Sequence, residues 1–221
     1  MSKLIQPFIG ETITIELSGK KIVKGVLLEV GSDIVVLYNG EDFLYVPSVH
    51  IQYFCKSDKE DSVSIPSDAP SLNSEDEISF RKTLNAARGR FAEIYTTGNQ
   101  PLHGYITSVM NNYFVFYSPV YKTMLIAIQH VKWLIPYTDQ QTPYALDQQK
   151  LPVNPAPFTL GRTYEVQIEK LVGELVIFNI GDTFHHIGKI NRFEDNIIEL
   201  VTAREEKYYL NMHHIKTMHL P

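Results

Sequence analysis

Histidine is the residue type through which this chain could most readily do chemistry. Eight are present, and the densest groups are His185-His186 and His213-His214 with His219. Neutral imidazole is a common metal ligand. Adjacent residues of a strand project to opposite faces, however, so neither His-His pair can close on one ion from a single strand. No cysteine accompanies them, and the nearby carboxylates Asp182, Glu205 and Glu206 fall in expected turns. His50, His130 and His214 occupy matching points of an internal repeat and read as a structural residue at a strand entrance. No metal site is expected.

Nucleophilic and phosphate chemistry have less to stand on. There is no Gly-x-Ser-x-Gly elbow, no Cys-His pair with local context and no phosphate-binding glycine loop. The single cysteine, Cys55, reads as a small apolar residue at a strand end; it cannot form an internal disulfide, which fits a reducing cytoplasm. A catalytic site also tends to occur once, whereas the features of this chain occur three times. The expectation is no enzyme, no catalytic residue and no cofactor.

Charge narrows the partners. The 221 residues carry a net charge of -5, and 44% are hydrophobic. Seven acids between Lys56 and Ser79 (Asp58, Glu60, Asp61, Asp68, Glu75, Asp76 and Glu77) stand against Lys56 and Lys59 and account for the whole imbalance. The remainder is neutral, without the clustered basic charge of a nucleic-acid footprint. No apolar run approaches the roughly 20 residues of a membrane span, so no membrane partner is expected. The opening residues, Met1 to Pro7, lack the apolar core and cleavage site of a secretory signal, and none is expected.

The elements that position these residues repeat. Gly10, Gly19 and Gly25 return 79 residues later as Gly89, Gly98 and Gly104, and Asp33 returns as Asn112. A shift of 163 carries Gly10 to Gly173, Gly25 to Gly188 and Asp33 to Asn196, while Gly181 is displaced by one residue. The closing segments 45–53, 125–133 and 209–217 align at shifts of 80 and 164. Three tandem copies follow, with boundaries at 1–56, 80–137 and 158–221.

Each copy reads as five short strands. Residues 12–17 alternate with period two, as a half-buried strand does. Ser18-Gly19-Lys20 turns the chain into a long strand over 22–30, with Gly25 inside it as the expected bend or bulge. Strands over 34–38, 43–46 and 49–54 follow, the first two joined by the hairpin dipeptide Asn39-Gly40. A short helix is expected before each copy, clearest over 163–172 with Thr163 as its cap. Residues 57–79 form an acidic Ser/Pro linker and 138–157 a Gln/Pro linker. The 13 tyrosines and 11 phenylalanines read chiefly as barrel packing, with Tyr113, Tyr117 and Tyr121 the alternative contact patch.

A bent five-stranded unit with a preceding helix and a glycine midway along its second strand resembles the Sm-like barrel. The fold class expected is all-β with short helices, as three tandem small five-stranded barrels. Residues 207–217, KYYLNMHHIKT, resemble the end of a repeat in the spore coat protein B family of endospore-forming bacteria. Repeats of that family close on a tyrosine-rich run followed by His-Ile-Lys or His-Val-Lys, and His50-Ile51, His130-Val131-Lys132 and His214-Ile215-Lys216 stand at those places. The resemblance implies a structural component of the spore coat, made in the mother-cell cytoplasm, with other coat proteins as partners. Some members carry a phosphorylated Ser- and Lys-rich tail; this sequence departs from that pattern, its last residue being Pro221.

Sm-like proteins usually bind RNA, which makes a nucleic-acid-binding Sm-like protein the alternative. The family pattern places a base-contacting Asn four residues after the turn Asp; here those positions are Leu37, Phe116 and Leu200. Its Arg-Gly-Asn element is replaced by Val46-Pro47-Ser48, Ile126-Ala127-Ile128 and Leu210-Asn211-Met212. Nucleic acid is therefore not the expected partner. Sm-like units join through the edges of their fourth and fifth strands, which implies possible self-association through 43–46, 49–54 and their counterparts.

Overall fold

The alternation in residues 12–17 puts Ile13, Ile15 and Leu17 on one face, and all three are fully buried. The same logic runs through the chain. The computed structural model describes residues 3–57, 77–98, 100–138, 143–145, 158–180, 182 and 186–221. In chain order the strands are β1 (Thr12–Leu17), β2 (Lys21–Val30), β3 (Ile34–Tyr38), β4 (Phe43–Pro47), β5 (Ile51–Lys56), β6 (Phe91–Tyr95), β7 (Leu102–Val109) and β8 (Tyr113–Ser118). They continue as β9 (Lys122–Ala127), β10 (Trp133–Pro136), β11 (Leu175–Phe178), β12 (His186–Glu194), β13 (Ile197–Val201), β14 (Lys207–Asn211) and β15 (Thr217–His219). Helix α1 (Phe80–Ala86) precedes β6 and α2 (Tyr164–Lys170) precedes β11. The protein is predominantly β, as its sequence pattern requires.

Two compact units form. The first comprises Met1–Ala86 with Lys132–Pro136, the second Ala87–Val131 with Tyr137–Pro221. In the first, the antiparallel strand order is β10-β4-β3-β2-β1-β5. Its core gathers Ile5, Ile13, Ile15, Leu17, Leu27, Val35, Leu37 and Val46 with Ile135 of β10. In the second unit the order is β14-β13-β12-β11-β15-β9-β8-β7-β6. There Ile168 and Leu171, on and just after α2, pack with Val115, Leu125, Phe178, Ile198, Leu200 and Met218.

The pairing of β1 with β2 and β5, β2 with β3, and β3 with β4 returns as β11 with β12 and β15, β12 with β13, and β13 with β14. The ladder slips between Leu27 and Glu29, between Ile106 and Ser108, and between Ile190 and Arg192. These bulges stand at the glycine shifts of 79 and 163, two residues beyond Gly25, Gly104 and Gly188. The glycines beside these bulges also serve a second purpose. A Cβ on Gly25 would lie 2.5 Å from the Tyr38 carbonyl oxygen, one on Gly188 2.5 Å from that of Val201, and one on Gly104 would overlap that of Tyr117. Each allows close approach of the paired strand.

Other expectations are corrected locally. The strand expected over 49–54 starts at Ile51, because Ser48–His50 forms a 3-10 turn; Ile128–His130 and Met212–His214 do the same. Closed five-stranded barrels do not form. The sheet of each unit is open, since the outer edge of β4 is taken by β10 and that of β9 by β15. Helix α2 is capped as expected: the Thr163 hydroxyl accepts the Val166 N–H at 3.4 Å. Most of the linkers expected at 57–79 and 138–157, together with Gly181 and His185, lie outside the described residues.

Candidate protein-interaction surface

Antiparallel strands expose a ladder of N–H and C=O groups along any edge that no neighbour occupies. This chain fills two such edges itself, with one register. In the first unit Leu134 of β10 lies opposite Tyr45 of β4. In the second, Met218 of β15 lies opposite Leu125 of β9, flanked by Thr217 opposite Ile126 and His219 opposite Met124. Tyr45 and Leu125 are 80 residues apart, the shift between the first and second closing segments, and Leu134 and Met218 are 84 apart, the shift between the second and third. The two strand junctions are copies of each other.

A helix cap accompanies each junction. The Asp33 carboxylate accepts the Phe80 N–H at 2.7 Å at the start of α1, and the Asn112 carboxamide oxygen accepts the Tyr164 N–H at 2.7 Å at the start of α2. Beside them, Ser32 N–H donates to Ile78 O at 3.0 Å and Asn111 N–H to Arg162 O at 3.1 Å. Asn112 also donates to both carboxylate oxygens of Glu165, at 3.0 Å each. Burial by itself would raise the Glu165 carboxyl; its own backbone N–H, the Thr163 hydroxyl and the Asn112 amide outweigh it, holding the group below the ordinary range. The sequence marked Asp33 and Asn112 only as turn residues. Their preference for accepting N–H bonds at helix starts was a usable signal, but the helices lie 47 and 52 residues away.

A further polar cluster ties β15 to its surroundings in the second unit. Lys216 Nζ donates to Asp182 Oδ2 at 2.6 Å and to Thr97 Oγ1 at 3.1 Å, and the Thr97 hydroxyl donates to Asp182 Oδ1 at 3.0 Å. Hence Asp182, grouped with histidines in the sequence, partners a lysine.

Among the described residues the outer edges of β14 in the second unit and of β5 in the first have no strand beside them. Tyr208 is 43% exposed and Tyr209 65%, whereas Met124 and Leu125, at the matching places of the occupied β9 edge, are at 0%. On β5, Tyr53 is 50% exposed and Cys55 is exposed, whereas Leu134 and Ile135 of β10 and Met218 and His219 of β15 are buried. The β14 edge is held in shape by Lys207, whose Nζ lies 2.8 Å from Glu199 Oε1, an oxygen that also accepts from Asn191 Nδ2 at 2.9 Å. The hydrogen bond from Lys207 lowers the Glu199 carboxyl, and its reciprocal raises the Lys207 ammonium. The Tyr208 ring packs 5.8 Å from that of His186. On β5, Phe54 meets Phe8 edge-on at 5.6 Å, and Lys56 pairs with Glu11 at 2.8 Å. The hydrogen bond between Tyr53 and the Glu16 carboxylate raises the Tyr53 phenol.

The described histidines make separate contacts. His50 Nδ1 lies 3.0 Å from Ser18 Oγ, His130 Nε2 lies 2.8 Å from the His213 carbonyl, and the His214 carbonyl accepts from Asn179 Nδ2 at 3.3 Å. Among the described residues no three His, Cys, Asp or Glu side chains converge as a metal would require. His219 is buried beside the Tyr121 ring, and loss of water lowers its imidazole below the ordinary value. Of the tyrosines read as an alternative contact patch, Tyr121 is exposed, whereas Tyr113 and Tyr117 are buried, and Tyr113 donates to Gly161 O at 2.7 Å.

Each unit is thus an open antiparallel sheet whose internal strand junctions share one register. Comparison with known proteins places the chain further. Residues 163–218 match the family model described as the YwrJ third domain. The chain is 39% identical over 224 residues to Uncharacterized protein YwrJ of Bacillus subtilis (strain 168), covering 99% of this chain and 100% of that protein. It belongs to the YwrJ family. It is also 23% identical over 146 residues to Spore coat protein B of the same organism, which covers 66% of this chain and 36% of that protein.

Proposed function

We propose that this protein is a non-enzymatic structural component of the bacterial spore coat, built of three tandem Sm-like repeats that assemble through protein-protein contacts. The observation carrying this reading is the likeness of two-thirds of the chain to Spore coat protein B, together with two open strand edges that have no reactive cluster beside them among the described residues. The three-repeat reading, with repeats at 1–56, 80–137 and 158–221, draws support from bulges and cap residues recurring at the glycine shifts. Other coat proteins are the expected partners, and the mother-cell cytoplasm is the expected place of synthesis. A fluorescent fusion followed through sporulation tests the role: the signal should gather as a shell around the forespore. A diffuse signal in both vegetative and sporulating cells would overturn it.

A further inference from the structure

We infer that the β14 edge of one molecule binds the β5 edge of a second copy, in the register this chain already uses at its two internal junctions. Each occupied junction sets the fourth strand of one copy of the motif, β4 or β9, against a fifth strand, β10 or β15. The open edges are the remaining members of those two classes: β14 is a fourth strand and β5 a fifth strand. No second fourth-strand edge competes for β5 among the described residues.

The register follows by transfer. Leu134 opposite Tyr45 and Met218 opposite Leu125 both become Phe54 opposite Tyr209. Thr217 opposite Ile126 becomes Tyr53 opposite Leu210, and His219 opposite Met124 becomes Cys55 opposite Tyr208. The residues brought together are the ones left exposed: Tyr53 at 50%, Tyr208 at 43% and Tyr209 at 65%, with Cys55 also exposed. At the β9–β15 junction their counterparts Met124, Leu125, Thr217 and His219 are buried, so the same burial is available on pairing. Strand pairing carries the contact by itself. The helix-capping half has no counterpart at the third turn, where Asp195 and Asn196 take left-handed conformations (φ 49° and 63°) that Ser32-Asp33 and Asn111-Asn112 do not.

Because the two edges differ, the contact is head-to-tail, and each added molecule presents a fresh β14 or β5 edge. Such growth suits a coat layer. It rests on the coat reading for its setting only, because purified protein tests it wherever the protein resides.

The native Cys55, the only cysteine, supplies the probe. In Tyr208→Cys the two thiols meet directly across the antiparallel pair, at a Cα separation of ~4.5–5.5 Å that a disulfide can span. Under mild oxidation the full-length variant should give a ladder of dimers, trimers and larger species on a non-reducing gel. Tyr209→Cys presents its thiol to the opposite face and should give several-fold less, and Tyr208→Cys with Cys55→Ser should give no ladder. Equal yields from Tyr208→Cys and Tyr209→Cys, an intramolecular link only, or no link in a folded variant at millimolar protein would each overturn the inference. Should Tyr208→Cys not fold, Tyr53→Cys with Leu210→Cys in a Cys55→Ser background probes the same register: a ladder supports the contact, and its absence in the folded protein overturns it. A ladder without a forespore shell would retain the contact and remove the coat role.

Discussion

The Asn112 carboxamide oxygen takes the N–H of Tyr164 at 2.7 Å, joining a hairpin turn to the first residue of α2 across 52 residues of chain. Asp33 makes the same bond to Phe80. A helix start has orphan N–H groups, and here the turn of a preceding hairpin satisfies one of them. Asn112→Ala should therefore lower stability by about 1 kcal/mol, a fall in Tm of ~2–4 °C in a chain this size. Asn112→Asp keeps the acceptor but sets a carboxylate against Glu165, so it should melt below wild type, whereas Asp33→Asn should melt close to it. Thermal unfolding followed by circular dichroism distinguishes the three.

Gly104 shows why a strand interior can require glycine. Its missing Cβ would run into the Tyr117 carbonyl oxygen and lie 2.9 Å from the Phe116 ring. Gly104→Val should cost ~1–3 kcal/mol, since backbone must move to admit the side chain. Urea unfolding should show a lower midpoint; an unchanged one would mean that β7 and β8 separate freely at this point.

His219 gives stability a dependence on pH. Burial lowers its imidazole below the 6.5 of the unfolded chain, so below that pH the unfolded state binds a proton the folded state resists. The unfolded state then holds more protons, and stability falls as pH drops from about 6.5 toward the folded value. Replacing the imidazole by an amide of similar polarity, His219→Gln, removes this contribution. The difference in stability between wild type and variant, measured at about pH 7.5 and about pH 5.5, should shift against the wild type at the lower pH.

Lys216 and Asp182 are 26% and 20% exposed at the side chain and 2.6 Å apart, with Thr97 closing the triangle. Partial burial should make this pair count for more than a surface ion pair. A double-mutant cycle with Lys216→Met and Asp182→Asn should return a coupling of about 1 kcal/mol that shrinks in salt. A coupling near zero would show that Thr97 and solvent serve each partner equally well alone.

The strands themselves were legible in the residues. Period-two alternation placed β1 and the apolar run 34–38 placed β3, Asn39-Gly40 placed a hairpin, and Thr163 placed the cap of α2, because each depends on neighbours a few positions away. The repeat also fixed where features recur, as the bulges at Leu27, Ile106 and Ile190 show. Which strand meets which edge was decided only in three dimensions. Nothing in the Tyr45 segment announces that β10 will lie beside it, nor that β14, built on the same pattern, will have no strand beside its outer edge among the described residues. The roles of Asp33 and Asn112 were hidden for the same reason. A sequence pattern records which face of a strand is apolar, but backbone groups along its edge are the same for nearly every residue type, so edge pairing is set by packing and geometry across the fold.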